Sequence, residues 1–175
     1  MTEQARYQVR FDLGIEGALA AGSDADVIVW ANARDDGMGG LLERLPATPA
    51  IIVTALPSAF AAADWVLSEQ LRLNRRFSIA VIAAGVSREG TWRYAVEDHL
   101  VAGAVIARLS ELGLDATSPE AAAAEAAYLG LRRAVSHLLT ATTSAMGEGA
   151  VPQHLRELNA SATPDDVTVA RGIVT

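Results

Sequence analysis

The sequence predicts an α/β fold, a three-layer α/β/α sandwich around a mostly parallel central sheet, and three observations carry that prediction. Residues 26–32, 50–56 and 77–85 are near-continuous apolar runs of strand length, which is how strands buried on both faces read. Segments with apolar residues at three- and four-residue spacing separate or follow them, as amphipathic helices do. Strand and helix alternate, and parallel strands joined by helical crossovers need both sheet faces covered. With 175 residues and 51% hydrophobic content, the chain fits one domain, 1–175, with a core of its own.

Taken in order, residues 7–13 alternate enough for a first strand, and 14–21 read as a short alanine-rich helical turn ending near Gly22. The run 26–32, Asp-Val-Ile-Val-Trp-Ala-Asn, is a central parallel strand. A short helix over 39–45 is stopped by prolines before the third strand, 50–56. Residues 58–73 form a helix with Phe60, Ala63, Val66, Leu67 and Leu71 inward and Ser58 capping its first turn. The clearest strand, 77–85, leads through a polar loop into a helix over 96–112. Ser118-Pro119-Glu120 combines a cap, a proline at the first helical position and an early acid, and starts the longest helix, running to Leu139 with a bend near Gly130. A short helix over 153–159, a polar turn at 163–166 and a late edge strand over 167–174 complete the chain.

Composition removes several classes of chemistry. Cysteine is absent, which excludes disulfides, thiolate metal sites and a cysteine nucleophile. All 14 basic residues are arginine, so there is no lysine for a Schiff base or a P-loop. A net charge of −7 argues against nucleic acid as a partner. No apolar run reaches the roughly 20 residues of a membrane span, and the opening residues lack a signal peptide's apolar stretch, so the expectation is a cytoplasmic protein that avoids membranes. No GxGxxG, Walker A or GxSxG pattern occurs. The three histidines, His99, His137 and His154, stand apart from one another and read as structural or surface residues.

The candidate site follows the strand at 77–85. Open α/β sheets bind ligands at the carboxyl ends of their strands, and there the loop 85–91 offers two glycines for close backbone approach and Arg88 as a clamp for phosphate or sulfonate. The bland alternative is a solvated connection. Glu97 and Asp98 open the next helix, where acids oppose the macrodipole. Their other reading is magnesium coordination, since a hard cation takes carboxylate oxygens and bridges a substrate phosphate. Asp35 and Asp36, just after the second strand, admit the same metal reading beside that of a solvated turn.

The segment 79–109 has the strand Ile-Ala-Val-Ile-Ala, then Ala84-Gly85, Glu97-Asp98 and Ala102-Gly103-Ala104 in that order, and it resembles the 2-phosphosulfolactate phosphatase family. Phe11-Asp12-Leu13-Gly14 with Gly17-Ala18, the strand 26–32 and Ser118-Pro119-Glu120-Ala121 extend the likeness over most of the chain. The resemblance implies a magnesium-dependent phosphatase acting on 2-phosphosulfolactate or a similar small phosphorylated acid. In that reading Glu97, Asp98 and Asp35 hold Mg2+, Arg88 clamps the anion, Ser58 hydrogen-bonds the phosphate and water attacks phosphorus. Relatives commonly end the second strand in an aspartate; Asn32 stands in that place here, short of the charge that a metal or nucleophile role requires. Ala83 replaces a common cysteine, and Leu56-Pro57 interrupt a polar motif of which the hydroxyl of Ser58 survives. These departures favour the alternative, an inactive descendant that binds an anion, a small phosphorylated or sulfonated metabolite, or forms oligomers, with a homodimer as the default.

Overall fold

The apolar runs form strands where the sequence places them. In the computed structural model, which describes residues 4–35, 38–142, 145 and 149–173, β1 spans Val9–Leu13, β2 Val27–Ala31, β3 Ala50–Thr54 and β4 Ile79–Ala83. Every residue of β2, β3 and β4 is buried, as strands covered on both faces must be. These four strands are parallel in the order β1-β4-β2-β3, and β7 (Thr168–Arg171) adds an antiparallel edge beside β3. Arg171 fastens that edge by donating to the carbonyls of Leu42 and Pro46.

Alternation along the strands splits the core in two. Phe11, Val29, Ile52 and Val81 point to the face covered by α2 (Ala59–Arg72), α3 (Val96–Glu111) and α4 (Pro119–Leu131). Ile28, Trp30, Ile51 and Ile82 point to the other face, under α1 (Gly14–Gly22) and the 3₁₀ segment Gly39–Arg44. The architecture is therefore the three-layer α/β/α sandwich with a mostly parallel sheet. Buried Arg10 ties β1 to α1, donating to the Ala21 carbonyl near the helix end and to Asp24 at 2.5 Å, a cation where the helix dipole is negative. Among the described residues no helix is long and apolar enough to cross a membrane.

The α3–α4 pair packs closely because Gly103 has no side chain. A Cβ there would lie 2.7 Å from the Tyr128 Cβ and closer still to the Ala124 carbonyl oxygen. At the start of α4, Ser118 is fully buried and its Oγ accepts from the Ala121 N–H at 3.1 Å. Replacing Ser118 with alanine is expected to cost about 1 kcal/mol, the usual worth of such a cap. A urea midpoint unchanged in the variant would remove the cap from the account of this helix.

Several expected elements differ in detail. Ser58 does not cap α2, because its hydroxyl is engaged with Thr54 Oγ1 at 2.9 Å and the Ala55 carbonyl within the 3₁₀ turn Leu56–Ser58. Leu71 lies outside the core at 68% exposure, and the buried face of α2 is made by Ala59, Ala62, Ala63 and Val66. The helix expected to run to Leu139 ends at Leu131, just after Gly130, whose backbone entropy disfavours helix, and α5 (Val135–Leu138) follows a turn. With 16 residues α3 is longer than α4 with 13. The segment 153–159 contributes a single 3₁₀ turn, Gln153–Leu155. The expected loop at 85–91 is a hairpin, β5 (Val86–Arg88) paired with β6 (Thr91–Arg93). Its two-residue turn has Glu89 at φ 51° and Gly90 at φ 76°, the left-handed pair that matches the twist of a tight hairpin.

Candidate functional site

Neighbouring strands send the chain to opposite faces of the sheet. After β1 it enters α1 on one face, and after the adjacent β4 it passes through the hairpin into α3 on the other. Such a reversal leaves a crevice outside the carboxyl ends of the strands, and a cleft of about 730 Å³ lies there. Its walls come from Leu13 to Glu16 after β1, from Trp30, Asn32 and Arg34 at the end of β2, from Met38, Leu41 and Arg44, and from the hairpin. Glu97 and Asp98 complete the lining.

The hairpin is clipped down by Trp92. Its indole nitrogen donates to the Ala84 carbonyl at 2.9 Å, and the ring covers Gly14 and Gly85. A Cβ at either glycine would overlap the indole. Both also sit in the left-handed region, at φ 62° and 71°, where a side chain is strained. Trp92 is 42% exposed, so one side of the ring stays open to solvent.

Asp98, 3% exposed, joins two strand ends. Its Oδ1 accepts from the Ala33 N–H and its Oδ2 from the Gly85 N–H, each at 2.8 Å. Both oxygens are thus engaged by backbone amides, which makes the carboxylate a clamp between the ends of β2 and β4. Glu97, 1% exposed, accepts from Thr142 Oγ1 at 3.3 Å, and the Arg34 guanidinium lies 3.9 Å from its Oε1. Arg34 also donates to the Gly149 carbonyl at 2.8 Å. Asn32 closes the turn after β2, its Oδ1 accepting from the Arg34 N–H at 3.0 Å, an Asx turn.

The structure brings together Asn32, Glu97 and Asp98 of the expected site. Ser58 lies elsewhere: β3 is a strand beyond β2, and its hydroxyl is turned to Thr54 and Ala55. Asp35 is exposed in the left-handed region at φ 51°, off the cleft wall, which is the solvated-turn reading. The Arg88 side chain and Asp36 lie outside the described residues. Glu97 and Asp98 lie in the first turn of α3, where acids oppose the macrodipole, and both are buried there; the N-cap, Ala95, makes no side-chain bond. His99 packs edge-on against Phe11 and Tyr94, with its pKa lowered by burial.

These residues do not fit a magnesium ion. Mg2+ takes near-octahedral oxygen ligands and prefers carboxylates free to point at it, whereas Asp98 is bonded to two amides and Glu97 faces an arginine and a hydroxyl. Among the described residues no three acidic or histidine side chains converge as ligands.

Sequence reasoning passed over Trp30, Arg34, Arg44 and Trp92. Trp30 is 1% exposed and lines the cleft, and its Nε1–H is buried with no hydrogen-bond acceptor among the described residues. A buried indole normally finds a partner, so a tryptophan near a strand's carboxyl end was the readable signal. Arg34, two residues from Asn32, was another. No family model matches the chain, and no curated protein matches it.

Proposed function

We propose that the cleft binds a small organic acid bearing a phosphoryl or sulfonate group, and that it holds this ligand without hydrolysing it. The observation that carries the reading is the Trp30 N–H, a buried donor without an acceptor among the described residues, in the wall of a cleft at the sheet's switch point. A ligand oxygen would satisfy it and remove the cost, about 1–3 kcal/mol, of a buried unbonded donor. Arg44 is exposed at the rim and Arg34 lies deeper at 13% exposure, so cations are in place for an anionic head. Leu13, Ile15, Met38 and Leu41 supply apolar surface for a carbon body. The resemblance to 2-phosphosulfolactate phosphatases supplies the class of acid, and the engaged state of Glu97 and Asp98 supports binding without metal-dependent turnover. Acids of this class are cytoplasmic metabolites, and the proposal carries that location with it.

The test is calorimetry with phosphosulfolactate and sulfolactate, alongside a phosphate-release assay in the presence of Mg2+. Saturable heat with a flat release assay is expected. In Arg44→Ala, losing a charge-assisted bond worth about 1.5–3 kcal/mol should weaken binding at least tenfold. Magnesium-dependent phosphate release would replace this reading with the hydrolase one, and absence of heat with both acids would end it.

A further inference from the structure

Away from the strand-end cleft, the junction of α4 and α5 gathers positive charge in an acidic protein. A smaller cleft of about 240 Å³ there is lined by Tyr128, Arg132, Arg133, Ser136 and Arg156, with Glu157 as its one acid. We propose that this is a second anion site, for a small multivalent oxyanion of the phosphate type, independent of the function proposed for the larger cleft.

Arg10, Arg72, Arg75 and Arg108 each pair with a carboxylate, as expected in a chain of net charge −7. The side chains of Arg132 and Arg133 make no hydrogen bond or ion pair with any described residue, a state shared with exposed Arg44, Arg76 and Arg93, but only here do such arginines converge with a third, Arg156, on one cleft among those described. Two adjacent guanidiniums beside a third repel one another, and an anion between them relieves that repulsion. Arg156 is already oriented, since its Nε donates to the Val151 carbonyl at 2.6 Å, leaving its terminal nitrogens as donors.

Tyr128 adds a phenol to the same cleft. It is 4% exposed, lines this cleft and has no hydrogen-bond partner among the described residues. Burial raises its pKa, against a smaller opposing effect of Arg132, so the phenol stays protonated at neutral pH and can donate to an oxyanion in the cleft. Ser136 adds a hydroxyl. Every polar group but Glu157 is a donor or a cation, and the volume lies below the roughly 300 Å³ at which sites for drug-sized ligands begin. That combination selects a compact oxyanion over a nucleotide.

The test titrates inorganic phosphate into the 15N-labelled protein at constant ionic strength. Saturable shifts at the amides of Tyr128, Ser136 and Leu158 are expected. The double variant R132A/R133A alters exposed side chains only, so it should fold normally and bind phosphate at this site at least tenfold more weakly. R132K/R133K should bind with intermediate affinity, since lysine keeps the charge without the bidentate fork. Arg44→Ala should leave these shifts unchanged, which separates this site from the larger cleft. Shifts that never saturate, that chloride reproduces, or that persist in R132A/R133A would overturn the proposal.

Discussion

Asp98→Ala is expected to be the most destabilising single change at the strand ends, at about 3–5 kcal/mol. It strips the acceptor from the amides of Ala33 and Gly85 together, and each buried N–H left unbonded costs about 1–3 kcal/mol. For a chain of this length that is a fall in Tm of roughly 10 °C or more. Asp98→Asn keeps one acceptor oxygen but turns an amide group toward the other N–H, so about half the loss is expected. Urea denaturation with and without Mg2+ checks both variants. The loss should be the same in the two conditions, because the carboxylate acts on backbone amides. A variant within about 1 kcal/mol of the parent, or a loss that appears only with Mg2+, would return Asp98 to the role of a metal ligand.

Gly103→Ala and Gly130→Ala should move stability in opposite directions, though both substitute the same residue in a helix. At Gly103 the new methyl meets the Ala124 carbonyl and the Tyr128 Cβ, backbone and near-backbone atoms that cannot swing aside. α3 and α4 must separate, at a cost of about 2–3 kcal/mol typical of an overpacked core. At Gly130 an added Cβ meets nothing within 4 Å, so only the helix propensity counts, and a gain of up to about 1 kcal/mol is expected. Equal urea midpoints for the two variants would show that α3 and α4 do not meet as described.

The fold was legible because burial on both faces leaves a one-dimensional trace. Val27–Ala31, Ala50–Thr54 and Ile79–Ala83 could be read as strands from their unbroken apolar character, since no position on them faces water. The hairpin at 86–93 escaped because its outer strand is wholly exposed and carries no alternation toward a core. Ser58 had the residue type and place of a helix cap, but the nearby hydroxyl of Thr54 competes for it. The site was half legible. Glu97 and Asp98 were placed at the strand-end cleft by their position after a central strand, and their burial could not be read because Arg34 and Ala33 come from a distant stretch of the chain. Trp30 counted as core in the sequence, since an apolar ring gives no hint that its N–H lacks an acceptor among the described residues.

The sheet order also constrains how the molecule is assembled. β1 and β2 have no ladder with each other; each pairs with β4, which enters between them with Ile79 opposite both Val9 and Val27. A growing chain therefore holds its first strand without a neighbour in the sheet until residue 79 arrives, and closing that long loop precedes any gain from the contacts it makes. The cleft inherits this timing. Gly85, Asp98 and Trp92 all follow the strand that arrives last of the parallel four, so a ligand seated there draws only on chains whose parallel strands are all in place. Binding would act by mass action, favouring molecules in which β4 has joined the sheet over those in which it has not.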